Sequence, residues 1–318
     1  MDVNVNLNMN KALKPIEKLI NAVKDGIGAF YEPYRIRALS KACADAMNTL
    51  GEAKSKNPNL NVNLNLKDLN ISSDEYIEII QRTGNRVLYQ EVTRQINLET
   101  IADDACDEIR NKEIISDKKV SRDWIIRFFN QAGDITNRDM QKIWGKILAG
   151  EVAEPSTFSF RTLDVLHSMS TDEAKLFQKL SNMVFNNEFI IKSDVLNKFG
   201  INYNDILILD DCGLLNSSGL ITVNINTLIN PNNLMVLHCK NYAIVSGKSD
   251  NKKATIEVYP LTTAGKELHS IIDTSTIDIN YLINVKNELN AHFNYDLKIY
   301  PIQSEGSNGV VLGTEPIN

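Results

Sequence analysis

Between residues 73 and 187 the apolar side chains recur at the spacing of a helix, and from residue 188 that period gives way to short runs of strand character. Helices first and a small sheet later make the chain α+β, mainly α. In "NRDMQKIWGKILAGE", Met140, Ile143, Trp144, Ile147 and Leu148 fall at i, i+3, i+4, i+7 and i+8, one broad apolar stripe with Trp144 as its core anchor. Two capping boxes punctuate this region. Ser72 with Glu75 opens the first helix, and Ser170 with Glu173 opens one carrying Ala174, Phe177, Leu180 and Val184. Ser121 introduces another.

Ahead of the helices the period is two. In "MDVNVNLNMN", Asn4, Asn6, Asn8 and Asn10 lie on one face of an extended chain, with Val3, Val5, Leu7 and Met9 on the other. "NLNVNLNLKDLN" repeats the pattern, setting Leu60, Val62, Leu64 and Leu66 opposite Asn59, Asn61, Asn63 and Asn65. Asn is depleted in strands, so its regular placement is read either as amide ladders across neighbouring strands or as a solvated outer face. Between the ribbons, "KALKPIEKLINAVKDGIGAF" is an amphipathic helix with Ile16, Leu19, Ile20, Val23, Ile27 and Phe30 on one face. Its mixed charges favour docking on a partner helix over lying on a membrane surface. After Pro33 a second helix carries Ala38, Ala42 and Ala46, so a helical hairpin separates two strands. Val3, Asn4, Val5, Asn6, Leu7 and Asn8, with Asn61, Val62, Asn63, Leu64 and Asn65, are expected to form an assembly element. A two-stranded ribbon leaves open edges, and copies of the chain meeting edge to edge, or a sheet edge supplied by the C-terminal domain, would cover them.

From residue 188 the order is "EFIIK" as a strand, "SDVLNKF" and "NYNDILILDDCGLL" as short helices, then "GLITVNIN", "LMVLHCKNYAIVSG" and "KATIEVYPLT" as strands of one small sheet. Thr262 or Thr263 opens the helix "LTTAGKELHSII". This order is that of a winged helix. One more helix and the edge strand "DLKIYPIQ" precede a Gly-rich, Ser-containing tail. The expected domains are 1–70, two Asn-alternating strands around a helical hairpin; 71–187, a helical bundle; 188–273, winged-helix-like; and 274–318, a helix, an edge strand and a flexible tail.

The chain of 318 residues carries a net charge of -6, which leaves no global basic field for nucleic acid or acidic membranes. No run reaches the ~18 apolar residues of a membrane span, and no signal peptide is visible, so any membrane association would be peripheral. Cys43, Cys106, Cys212 and Cys239 are scattered, with no metal-ligand spacing and no disulfide framework, which fits a reduced, cytoplasmic setting.

Chemistry-bearing residues are sparse. Asp103, Asp104, Asp107 and Glu108 form two i,i+4 acidic pairs that a metal-dependent nuclease would use, and that read more simply as a solvated acidic face. His167 has no nucleophile or ligand beside it in sequence and reads as structural. Arg122 and Arg161 are isolated and read as surface residues. No catalytic residue, metal site or cofactor site is expected. The would-be recognition helix bears Asp205, Asp210 and Asp211, and no Lys or Arg occurs from Gly200 to Cys239. Such a helix is repelled by phosphates, which leaves Lys248, Lys252 and Lys253 as the possible nucleic-acid contacts.

The stretches "INLETIADDACDEI", "SRDWIIRFFNQAGDITNRDMQKIWGKILAGEVAEPSTFSFRTLDVLHSMSTDEAKLF" and "YPLTTAGKELHSI" resemble a bacterial family known as domain of unknown function 2806. The resemblance runs over most of residues 10–300, and "MQKIWGKILAGEV" is its most specific block. Where that family often has Pro-Gly after the LAGE element, this chain has Pro155 and Ser156. A shorter pattern, Trp144 with "ILAGE" and then "LHSMSTDEAKLF", is similar to the Abi-alpha abortive-infection proteins of bacteria. The resemblance implies a bacterial or mobile-element protein, in phage defence, and carries over no catalytic residues. The expected function is a non-enzymatic, oligomerising interaction or regulatory protein, a sensor or scaffold in anti-phage defence. The alternatives are a DNA-binding transcriptional regulator acting through the winged helix, and a metal-dependent nuclease built on the acidic pairs. The expected partners are further copies of the chain and a protein of unknown identity.

Overall fold

The computed structural model describes residues 14–24, 73–110, 112, 115–224, 236–246, 255–272, 277–293, 296–306 and 309–317. The Asn ribbons, most of the hairpin between them, and Lys248, Lys252 and Lys253 lie outside the described residues. The fold is α+β and mainly α, in two compact units that divide between Ser156 and Thr157.

In the first unit, residues 14–24 form helix α1, followed by α2 (Ser73–Arg110), α3 (Arg122–Ala132) and α4 (Arg138–Ala153). The stripe expected on α4 is its buried face: Met140, Trp144, Ile147 and Leu148 are all buried. Trp144 meets Phe128 of α3 edge-on with ring centroids 5.2 Å apart, and Trp124 stacks on the same Phe128. The C-terminal half of α2 packs against α4 through Ile101, Ala105 and Ile109. The crossing is close because Gly145 faces α2; a Cβ there would stand 2.6 Å from the Cβ of Asp104. Asn97, also buried, donates to the Gly133 carbonyl at 2.8 Å, and the Gln141 amide donates to Ile135 O and to Asn97 Oδ1. These bonds satisfy polar groups that burial would otherwise penalise. Asn137 caps α4, accepting from the N–H groups of Asp139 and Met140. On α1, Leu19, Ala22 and Val23 are buried, whereas Ile20, expected on the same apolar face, is exposed. Lys18 ties α1 to the Ser116 carbonyl at 2.7 Å.

The second unit contains α5 (Phe160–Ser168), α6 (Thr171–Ser181), β1 (Val184–Phe185), β2 (Phe189–Ile191), α7 (Val195–Lys198), α8 (Tyr203–Asp211), β3 (Thr222–Asn224), β4 (Val236–Cys239), β5 (Tyr242–Ser246), β6 (Thr255–Pro260), α9 (Thr263–His269), α10 (Ile279–Phe293), β7 (Leu297–Gly306) and β8 (Gly309–Leu312). The capping box of Ser170 and Glu173 forms as expected at the start of α6. Helices α5 and α6, grouped by sequence with the bundle, cluster with this unit. The cause at α5 is a distant carboxylate: Glu267 of α9 accepts from the Ser159 N–H at 2.7 Å and from its hydroxyl at 3.1 Å. Val184, expected on the helix of Phe177 and Leu180, belongs to β1, because α6 ends at Ser181 and the chain turns back through Asn186 and Asn187 at positive φ.

The strands form two antiparallel sheets, ordered β1-β2-β6-β3 and β4-β5-β7-β8, rather than one. The β4–β5 hairpin lies between β3 and β6 in sequence, yet β5 pairs with β7, Ile244 opposite Ile299. "DLKIYPIQ" is therefore not an edge strand, since β7 has β5 on one side and β8 on the other. The expected flexible tail contains β8, and beyond it the Ile317 N–H bonds the Ile299 carbonyl.

Candidate functional site

In the second unit a groove of about 680 Å³ is lined by the end of β2 and the turn into α7, the first turn of α8, β3 with Leu220 ahead of it, β6, and the last turn of α10. Buried Ile206, Ile256 and Leu289 form part of its floor, and exposed side chains form its rim. On β6 the alternation of strand side chains turns Thr255 and Glu257 outward and Ile256 and Val258 into the core. The pairing Thr222↔Glu257 then sets β3 beside that outward row. Tyr203 is 61% exposed and Leu220 71%, which makes the lining apolar at two open points.

The groove's charge is uneven. Asp194, Glu257 and Glu288 line it, against Lys192 and His292. Lys192 is already engaged: its Nζ is 3.1 Å from a Glu257 oxygen and 5.9 Å from the centroid of the Tyr259 ring. The hydrogen bond to Glu257, then that residue's charge, raises the Lys192 pKa above the ordinary lysine value. Ser193 donates its hydroxyl to Glu288 at 2.6 Å, which orients the carboxylate without neutralising it. Helix α8 brings no cation. Asp205 closes a capping box with Asn202, and Asp210 accepts from the Ser217 N–H at 3.2 Å. Two of the three acids that sequence reading weighed against phosphate binding thus also hold local backbone.

A second cluster lies where β1 and β4 meet. The Asn186 N–H donates to the His238 carbonyl at 2.8 Å, and the His238 N–H donates to Asn186 Oδ1 at 2.9 Å. Cys239 is buried and its thiol points at the Asn182 carbonyl, 3.6 Å away. Burial pushes that thiol up to about 12, far from nucleophilic reactivity. His269 of α9 is buried beside Asn187, its Nε2 3.3 Å from Asn187 Oδ1, and its Nδ1 has no partner among the described residues. Burial, and then the charge of Lys240, lowers its pKa to about 4.

The acidic quartet on α2 is divided. Arg138 reaches back to Asp104 with both terminal nitrogens, one bond at 2.6 Å, while Asp107 pairs with Arg110 at 2.9 Å. Asp104 is therefore part of the α2–α4 crossing, not a solvated group. Among the described residues no three His, Cys, Asp or Glu side chains gather where they could hold a metal ion, and no helix is long and apolar enough to cross a membrane. His167, Arg122 and Arg161 are exposed and remote in sequence from the groove lining. Sequence reading missed the groove and His269. The legible signs were the outward alternation on β6 and an apolar Tyr203 opening an otherwise polar helix turn.

The motifs quoted for the family have architectural roles. In "MQKIWGKILAGEV", Gly145 permits the helix crossing, and buried Glu151 accepts the Ser156 N–H at 2.7 Å. In "LTTAGKEL", Thr262 accepts from the Gly265 N–H and donates to the Gly213 carbonyl at 2.6 Å. A Cβ on Gly265 would fall 1.9 Å from the Leu214 carbonyl oxygen. No curated protein and no solved structure matches the chain, so the likeness to Abi-alpha proteins rests on the quoted residues alone. The family described as "Protein of unknown function (DUF2806)" matches residues 81–189 and 190–286, well over half of the chain, and the chain belongs to that family.

Proposed function

We propose that this chain is a non-enzymatic interaction protein whose second unit is a winged helix turned to protein contact. The winged-helix reading is supported by the strand order β2-β6-β3, with α7 and α8 between β2 and β3, and by an antiparallel β3–β6 pair. The β4–β5 hairpin takes the place in the chain where a wing would lie. One observation carries the functional reading: the open groove joins exposed Tyr203 and Leu220 to three carboxylates, beside a helix without Lys or Arg. Phosphate backbones are held by cations and repelled by such a surface. Protein partners are anchored by exposed aromatic and aliphatic side chains.

The test is a benzophenone amino acid placed at Tyr203 or Leu220 in bacterial cells carrying the chain, followed by irradiation. Adducts to protein are expected, and adducts to DNA would overturn the reading. Self-assembly through the Asn ribbons belongs to the same proposal, and native mass measured at several concentrations tests it. A role in anti-phage defence rests on the sequence likeness quoted above. Equal plaque counts on cells with and without the chain, across a phage panel, would remove that part.

A further inference from the structure

We propose that the groove takes a basic segment of a partner protein, with its cations over Glu288 and Asp194 and over Glu257, which it shares with Lys192. The inference rests on the protein-contact reading and adds the chemistry of the partner.

Charge is the first argument. Three carboxylates line the groove against one ammonium, that of Lys192, which Glu257 holds, so Asp194 and Glu288 leave the field felt by an incoming chain negative. Complementary charge steers encounter and rejects acidic competitors. The second argument is the lining itself. Tyr203 and Leu220 offer apolar surface on which the stems of Arg or Lys can lie, and Tyr203 offers a ring face for the cation. The volume, about 680 Å³, falls within the range of about 300–1,000 Å³ seen for ligand sites.

The experiment is fluorescence anisotropy of the full chain with labelled octapeptides that alternate Arg with Val and a set of equal length that alternates Glu with Val. The Arg/Val peptide is expected to bind at least tenfold tighter than the Glu/Val peptide and to weaken as salt rises. The double variant Glu257→Gln/Glu288→Gln should lose at least tenfold in affinity, while Asp172→Asn/Asp211→Asn, with the same change in net charge away from the groove, should not. Circular dichroism melting checks that both variants fold, and Tyr203→Arg, at an exposed position, supplies an independent loss of binding. Equal losses in the two double variants, or no preference for Arg/Val, would overturn the inference. If benzophenone adducts at Tyr203 are to protein while the peptides bind without charge preference, the protein-contact reading stands and this one falls.

Discussion

Two residues show how single side chains settle local energetics. Ser156 has φ of 77°, in the left-handed region where an L side chain costs about 1–2 kcal/mol and glycine nothing. Its N–H is held by the buried Glu151 carboxylate, so the conformation persists against that cost. Ser156→Gly keeps the hydrogen bond and removes the clash. The expected outcome is a gain of about 0.5–1 kcal/mol, partly offset by a freer unfolded chain, read as a higher urea midpoint. His269 acts through protons. Its pKa falls from an ordinary value near 6.5 to about 4 in the fold, so the unfolded chain binds more protons between those values. The stability it supports is complete above pH 6.5 and is lost as pH falls toward 4, by about 3 kcal/mol in all. His269→Gln should flatten that part of the pH profile of denaturant unfolding. An unchanged slope in the variant would assign the acid sensitivity elsewhere.

At the scale of elements, α2 carries its acids in unequal roles. Asp104 is 15% exposed and gripped by Arg138, whereas Asp107 is 76% exposed. Replacing Asp103, Asp107 and Glu108 together by Ala should leave thermal stability within about 0.5 kcal/mol, as for other surface changes. Asp104→Ala alone should cost about 1 kcal/mol, because a two-pronged ion pair at a helix crossing is lost, discounted for the half-exposed arginine. Thermal melts of the two variants decide it. The stripe on α4 was readable from sequence because helical spacing is local: Met140, Trp144, Ile147 and Leu148 announce their own burial. The partners of strands are not local. Nothing near Tyr242–Ser246 says that its neighbour is Leu297–Gly306, so one expected sheet became two. The groove was illegible for the same reason, since Lys192, Glu257 and Glu288 line one groove only after α10 packs against α7. Likewise, nothing near Ser159 in sequence says that Glu267 will hold it.

For the molecule as a whole, the proposal that the alternating Asn ribbons join copies carries its own prediction. Deleting residues 1–10 is expected to lower the native mass of the assembly while the circular dichroism of the helices is kept, and a truncated chain with its full mass would refute the role. The pairing of β5 with β7 has a different consequence, one for trimming the gene. Residue 273 looked like a natural stopping place in the sequence, after the helix of α9 and before the last helix. A chain ended there would keep the β4–β5 hairpin and lose β7 from its flank, baring the backbone edge of a strand whose Ala243, Ile244 and Val245 are all buried in the intact unit. Bare apolar edges recruit further edges. Such a shortened product should accumulate in inclusion bodies, while one ending after Ile317 stays in the supernatant.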